Sequence, residues 1–343
     1  MGVTIKDVAQ AANVSVASVS RVLNGHGTVT DRTRAHVLAI MKQLRYTPHI
    51  GARSLSTSLT STVGVLLPDL YGEFFSEMIR GIDGAARRRG LHILVAGLHG
   101  GADEAAAVLG SMRGRVDGLL VMSPHVDADL LADSLPERLP VVLLNSGAGG
   151  AAYSSISIDN YSAARAMVQH LAGCGHRRIA FLTGPAQNFE AQERLRGYRA
   201  ALAECLPGVR ESVFQGDFSE QSGTAVGKAL ARKKQRPDAL FAANDMMAIG
   251  AQIALQGAGL RIPEDIAVAG FDDIPVARYV SPALTTVRVP IAALGAQALQ
   301  RLTELVAAQA GKGSDAMTDS DNRVAAHTLD AELVVRASSG SIR

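Results

Sequence analysis

Cysteine is nearly absent from this chain of 343 residues: Cys174 and Cys205 are its only two. They are too few and too widely separated for a thiolate metal site or a redox pair, and in a reducing compartment they are expected as free thiols on core-facing helices. Also missing is any apolar run approaching the roughly 20 residues that a membrane-spanning helix needs, which removes the membrane from the expected partners. The N-terminus has no apolar h-region of the kind a signal peptide carries, so a cytoplasmic protein is expected. No strand-linked GxGxxG or GxxxxGK[ST] loop occurs, and the nine histidines show no metal-ligand spacing. Together these gaps point away from an enzyme, with no catalytic residues, no cofactor and no metal expected. What remains is a globular composition, 47% hydrophobic and 19% charged, in a chain long enough for two or three domains.

The most informative stretch is the first, Val3 to Asn24. Thr4 can cap a helix, and Asp7 three residues later completes a capping-box spacing. Ile5, Val8, Ala9 and Ala12 recur at i, i+3, i+4 and i+7, a single apolar stripe. Asn13 suits the left-handed conformation that ends a helix, and Ser15 can cap the next one. That second helix should bury Val19, Val22 and Leu23, which leaves Val16, Ala17, Ser20 and Arg21 on the other face. An ordinary amphipathic hairpin has the same periodicity, so context has to separate the two readings. A third helix follows, with Thr30 as cap and Val37, Ile40 and Leu44 on one face, giving the three-helix minimum of a small DNA-binding core. Through Thr60 there are seven basic residues against Asp7 and Asp31, a net +5, while the whole chain is +2 and the remainder therefore −3. A basic head on a mildly acidic body is the electrostatic footprint of a phosphate-binding module. Arg21, the one long planar donor on the exposed face, has the shape to fork onto guanine O6 and N7.

The run T-I-K-D-V-A…V-S…S-V-S-R-V-L-N, then L-R-Y-T-P and A-R-S-L, resembles the head of the lactose-repressor/galactose-repressor family of bacterial transcription regulators. G-V-L-L-P-D, G-H-R-R-I-A-F, A-N-D-M-M-A-I-G and G-F-D-D-I-P follow in that family's order and spacing, so the resemblance covers nearly the whole chain. It implies a homodimer that binds a pseudopalindromic operator in double-stranded DNA. The DNA-facing set is then Thr4, Ser15, Val16, Ala17, Ser18, Ser20, Arg21 and Asn24 in the head. In the linker, the resemblance implies a hinge that becomes helical on DNA, with Arg53 at the backbone or minor groove and Leu55 wedged between base pairs. Gly51 departs from the family pattern and would cost such a helix up to about 1 kcal/mol.

From Thr62 the pattern changes to apolar strands alternating with amphipathic helices. Strands are expected at Val63–Leu67, His92–Ala96, Gly118–Met122 and Val141–Asn145, with helices at Phe75–Arg89, Glu104–Arg113 and Asp127–Leu135. A second set places strands at Arg178–Leu182, Val213–Gly216, Asp238–Ala242 and Ile266–Gly270, and helices at Tyr161–Leu171, Gln192–Cys205, Glu220–Ala231 and Asp245–Gln256. Such alternation means parallel sheets covered on both faces. The expected fold is thus an N-terminal all-α helix-turn-helix head plus an α/β core of two doubly wound parallel-sheet subdomains, which resembles the periplasmic-binding-protein fold. The division reads 1–47 head, 48–61 hinge and 62–343 core, the core's N-subdomain holding about 62–158 and 288–320 and its C-subdomain about 159–287 and 321–340. Crossovers are expected near Asp159, near Val287 and near the C-terminus, with Gln309–Asn322 an exposed loop and Ala331–Ser339 a closing strand. No heptad pattern for a tetramerising zipper follows.

Two doubly wound sheets side by side leave a cleft at the carboxyl ends of their strands. By position in the family's motifs, Asp272 matches a hydroxyl-binding aspartate, Arg194 an arginine that reaches the effector, Asn244 a second effector contact and Phe218 a stacking aromatic. Asp69, Phe74 and Phe75 should floor the other side, and Asp159 and Asn188 are weaker candidates. Beside these, Asp273 reads as a turn or cap, Asp245 as a helix cap, Arg196 as a solvent-facing or carboxylate-paired residue, and His176 as a partly cationic ring closing a helix. Carboxylate, guanidinium and ring together suit a small carbohydrate-like effector. The rivals are a purine-type or a protein effector with the same DNA role, and a sugar-binding transport component.

Overall fold

The computed structural model describes residues 3–23, 29–46, 59–98, 102–122, 139–145, 153–311 and 324–340. Asn24, the hinge with Gly51, Arg53 and Leu55, the helix expected at Asp127–Leu135 and most of the loop at Gln309–Asn322 lie outside the described residues. The chain divides into two compact units, one of Met1–Thr62 with Gly114–Asp117 and one of Val63–Arg113 with Gly118–Arg343.

The head consists of α1 (Ile5–Ala11), α2 (Val16–Leu23) and α3 (Asp31–Gln43). Thr4 Oγ1 accepts from Asp7 N, and the Asp7 carboxylate accepts from Thr4 N at 2.8 Å, closing the expected capping box. The hydrogen bonds that the Asp7 carboxylate accepts from the Thr4 backbone N–H and hydroxyl hold it below its ordinary value. Asn13 turns the chain at φ 50°, and Ser15 Oγ accepts from Ser18 N at 3.1 Å to start α2. Val8, Ala9, Ala12, Val19, Val22, Val37 and Met41 form a closed core with Ile5, Ile40, Leu44 and Leu23 at its edge; Leu23, expected to be buried, is only half so.

In the second unit, apolar runs form central strands buried on both faces, because helices cover each side, while the edge strands stay partly exposed. The first sheet has the order β11-β5-β4-β3-β1-β2, built from β1 (Thr62–Leu67), β2 (His92–Gly97), β3 (Gly118–Met122), β4 (Val141–Leu144), β5 (Ser154–Ile158) and β11 (Ala326–Leu329). The pairings β1–β3, β3–β4, β4–β5 and β5–β11 are parallel. The second sheet, β7-β6-β8-β9, is parallel throughout: β6 (Ile179–Thr183), β7 (Ser212–Gln215), β8 (Ala239–Ala242) and β9 (Ala267–Ala269). In each sheet the order reverses beside the first strand, between β1 and β3 and between β6 and β8. A doubly wound sheet opens its ligand crevice there, beyond the carboxyl ends of the strands.

The helices are α4 (Glu73–Arg88) and α5 (Ala102–Met112) in the first lobe, and α6 (Asn160–Gly173), α7 (Phe189–Cys205), α8 (Glu220–Ala231) and α9 (Asp245–Gly257) in the second. Helix α10 (Ile291–Gly311) returns to the first lobe and lies on α4, β3, β4 and β5. A Cβ on Gly81 would stand 2.1 Å from Ala292 O, so glycine is what lets α4 and α10 approach this closely.

Several expectations need correction. Sequence reading has neither β5 nor α10. The Ser-Ser-Ile-Ser-Ile run of β5 lacks a buried strand's apolar continuity, yet Ser154 and Ser155 are buried, with Arg301 Nε donating to Ser154 Oγ and Ala326 pairing with Ser155. Gln309–Gly311, expected in a loop, ends α10. The segment 321–340, assigned to the C-subdomain, is divided: β11 belongs to the first sheet. The third crossover therefore falls between Leu329 and Glu332. Only Glu332–Val334 of the expected closing strand forms one (β12), antiparallel to β10 (Thr286–Arg288), and Ala337–Ser339 is a 3-10 turn. That turn is sealed into the second lobe. Ser338 Oγ donates to Val268 O at 2.6 Å, and Ser339 Oγ bonds Thr285 Oγ1 at 2.8 Å and His170 Nε2 at 2.9 Å. Burial and the neighbouring His176 push the His170 pKa down. His176 closes α6 through its backbone N on Leu171 O, and its ring Nε2 donates to Ser339 O at 2.9 Å, fastening the C-terminal turn. Cys174 is buried and Cys205 half-buried, both free. No described helix is long and apolar enough to cross a membrane.

Candidate functional site

In the head, burial of Val19 and Val22 fixes which face of α2 is outward. Val16, 41% exposed, with exposed Ala17 and Arg21, forms that face; Ser18 and Ser20 are half-buried beside it. Thr4 and Ser15 are engaged as helix caps at the starts of α1 and α2.

The second unit holds an open cleft of about 780 Å³, counted to its mouth. The first lobe contributes Pro68, Asp69, Phe74 and Phe75 from the β1–α4 connection and Met122 from the end of β3. The second contributes Pro185, Asn188, Glu190 and Arg194 after β6, Asp217 and Phe218 after β7, Asn244 after β8 and Asp272 after β9. All seven expected effector residues, Asp69, Phe74, Phe75, Arg194, Phe218, Asn244 and Asp272, therefore line one space, because each follows or lies near the carboxyl end of a strand.

Arg194 is the centre of the floor and is 3% exposed. Its Nε donates to Asn160 Oδ1 at 2.7 Å, Nη1 to Ala243 O at 2.5 Å and Nη2 to Glu190 Oε1 at 3.4 Å. Its guanidinium lies 3.8 Å from the centroid of the Phe271 ring and 6.0 Å from that of Phe218. Asp272 stands beside it, Oδ1 being 3.6 Å from Arg194 Nη1. The Asp272 backbone is held at φ 110° by its N–H on Val287 O, and its carboxylate, 5% exposed, accepts no hydrogen bond among the described residues. Burial raises the Asp272 pKa to about 7; Arg194 opposes that rise and Glu190 adds to it. Phe218 sits at φ 70° with its ring tip over Gly184, where a Cβ would come within 2.3 Å of the ring. Asp69 is exposed and accepts from Tyr71 N at 2.9 Å, so it is a turn residue at the rim and not part of a floor. Phe74 and Phe75 meet edge to face, 5.4 Å between centroids.

Asp245 and Asp273, both expected as caps or turn residues, take other roles, while their neighbours Asn244 and Asp272 line the cleft. Asn244, not Asp245, caps α9: its Oδ1 accepts from Met247 N at 3.0 Å while its Nδ2 donates to Phe218 O at 2.9 Å. Asp245 is fully buried, accepting from Ile274 N at 3.0 Å and from the Thr286 hydroxyl at 2.6 Å, and burial with the nearby Asp272 raises its pKa well above the ordinary value. Asp273, expected as a turn or cap, accepts from Arg288 Nε at 2.8 Å and Arg336 Nη2 at 2.6 Å, tying the second and third crossover segments together. Asp159 and Asn188 cap α6 and α7, and Arg196 pairs with Glu193 and lies over the Tyr161 ring. Sequence reading missed Glu190. The signal was present as the i, i+4 spacing to Arg194, the arrangement that brings two side chains onto one helix face.

A helix-turn-helix unit, together with a unit of two doubly wound lobes facing a polar cleft, defines a ligand-responsive DNA-binding regulator. Residues 4–49 match the bacterial regulatory proteins of the lacI family, and residues 168–339 match the periplasmic binding protein-like domain. The chain is 36% identical over 307 residues to catabolite control protein A of Priestia megaterium, covering 89% of this chain and 92% of that protein. It is also 36% identical over 325 residues to the HTH-type transcriptional repressor PurR of Proteus mirabilis (strain HI4320), covering 92% and 93%. Among solved structures, the lac repressor dimer bound to operator and the anti-inducer ONPF superposes with a TM-score of 0.86 at 29% identity, covering 99% of this chain and 100% of that one. The transcriptional regulator CelR–cellobiose complex superposes with a TM-score of 0.71 at 32% identity, covering 98% and 99%. The chain belongs to the lacI family of bacterial regulatory proteins, and is a DNA-binding transcription regulator.

Proposed function

We propose that this regulator is a repressor that binds a pseudopalindromic operator as a homodimer and whose operator affinity is set by a small carbohydrate-like effector in the cleft. The observation that carries the effector assignment is the Asp272 carboxylate, buried beside Arg194 with no hydrogen-bond donor. A buried acceptor in that state is costly until a ligand donor reaches it. The half-buried rings of Phe74, Phe75 and Phe218 offer apolar faces to sugar C–H groups, and the cellobiose complex of CelR is a related two-lobe protein holding such a ligand. The same rings favour a purine-type effector as the second reading, since a flat heterocycle also stacks. For the DNA role, the support is the α2 face bearing Arg21, a feature that a sugar-binding transport component does not need.

Selection of randomised DNA by the full-length protein, followed by a thermal-shift panel of neutral sugars, sugar phosphates and hypoxanthine, tests the reading. The expected result is a two-fold-symmetric site whose occupancy changes with a compound that raises Tm. DNA recovered without symmetry or sequence preference would end the repressor assignment, and response to hypoxanthine alone would install the second reading of the effector.

A further inference from the structure

Glu190 lies in the first turn of α7, one turn before Arg194, and is buried in the cleft floor. From this position we infer that Glu190 sets the charge selectivity of the cleft: paired with Arg194, it makes the floor reject phosphate- and carboxylate-bearing molecules and admit an uncharged, hydroxyl-donating one. The inference rests on the cleft being the effector site.

Two features of the floor would otherwise attract an anion. One is the Arg194 guanidinium, a natural fork for phosphate or carboxylate. The other is the N-terminus of the 17-residue α7, whose cap Asn188 lines the cleft. Glu190 answers both, since its carboxylate accepts from Arg194 Nη2 and sits where the helix dipole is positive. With Nε and Nη1 committed to Asn160 and Ala243, little of the fork remains for a ligand. Asp272 then supplies a second carboxylate to the same guanidinium, and Asp69 and Asp217 add two more at the cleft, against Arg194 alone. Among the described lining residues, an entering anion therefore meets four carboxyl side chains and one guanidinium. A hydroxyl donor instead finds the buried Asp272 carboxylate, ion-paired with Arg194 at 3.6 Å but accepting no hydrogen bond at Oδ1, a position that rewards donors and penalises further acceptors. Burial raises the Glu190 pKa, and the Arg194 guanidinium and the Asn160 hydrogen bond oppose that rise and favour the charged form.

The test uses full-length protein at pH 7, with inorganic phosphate and sulfate as probes against sodium chloride of equal ionic strength. Parent and Glu190→Gln, which keeps shape and loses charge, are compared by thermal shift, with Glu190→Thr standing in if the first variant does not fold. The parent should gain nothing specific from either anion, whereas the variant should bind phosphate at least about tenfold more tightly, a difference near 1.4 kcal/mol. Equal stabilisation of parent and variant, or a variant that gains none, overturns the proposal. A second arm compares glucose with glucose 6-phosphate on the parent, and a larger response to the phosphate ester overturns it as well. If no sugar or purine moves either protein, the effector reading fails while the inorganic-anion comparison still decides the role of Glu190.

Discussion

Arg21 and Asp272 show how much one side chain can carry when its neighbours leave it no alternative. Arg21 is the one long donor on an α2 face otherwise made of Val16, Ala17 and serines. Arg21→Ala should lose about 1–3 kcal/mol of operator affinity per half-site and relax preference at one guanine. Binding titrations on matched and guanine-substituted operators measure this, and a mutant that keeps the parental sequence ratio removes Arg21 from base recognition. Asp272 carries a pH signature. Its folded-state pKa of about 7 lies above the ordinary 3.8, so the folded protein holds the extra proton between those values. The stability associated with that proton is fully present below pH 3.8 and is lost as pH rises through about 7. Asp272→Asn keeps the shape without the buried charge, so the variant should gain in Tm over the parent, by an amount that grows from pH 5 to pH 8. A Tm difference that is flat or shrinks over that range contradicts the assigned burial cost.

Among elements, the loops after β9 and β12 are tied together by one buried carboxylate, that of Asp273. Asp272 and Asp273 are consecutive and both at positive φ, one facing the cleft and the other the crossover segments. The Asp273 side chain is 3% exposed and takes two arginines, of which Arg336 is itself only 16% exposed. Asp273→Asn leaves the Arg336 charge without its counter-ion and should destabilise the folded chain by about 1.5–3 kcal/mol. Urea unfolding with a lower midpoint and an unchanged slope is the expected result; an unchanged midpoint would reduce the network to a surface decoration. Neither role could be assigned from the dipeptide alone, because which of two adjacent carboxylates faces the cleft depends on the backbone turn there. The same limit explains Asn244 and Asp245: either can cap a helix by type, and the one chosen is set by the register with which β8 enters α9.

For the whole molecule, the cleft joins two lobes that share three crossovers, and the effector is expected to act by changing how the lobes stand to each other. Asp272→Ala should then cost roughly 2–5 kcal/mol of effector affinity through the unpaired groups left behind, and produce a regulator whose operator occupancy no longer follows effector concentration. Titrating operator occupancy with effector for parent and variant decides it. An unchanged midpoint would show that Asp272 is only a turn residue and that the pocket is misplaced.

Local rules made the head readable in the chain. Capping at Thr4, Ser15 and Thr30, and the apolar stripes of α1 to α3, involve partners three or four residues apart. Most core strands were readable too, as apolar runs such as Arg178–Leu182 and Asp238–Ala242, and the carboxyl ends of β6 to β9 place Arg194, Phe218, Asn244 and Asp272 near one crevice. What only the tertiary structure decided depends on partners far apart in sequence. The serine-rich β5 becomes a buried strand because β11 pairs with it from 171 residues away, as Ser157 and Thr328 show. Glu190 becomes a buried countercharge because Arg194 is anchored by Asn160 and Ala243 on other elements. A side chain's type states what it can bond to; only the packed neighbours remove its alternatives and the water that would have satisfied it instead.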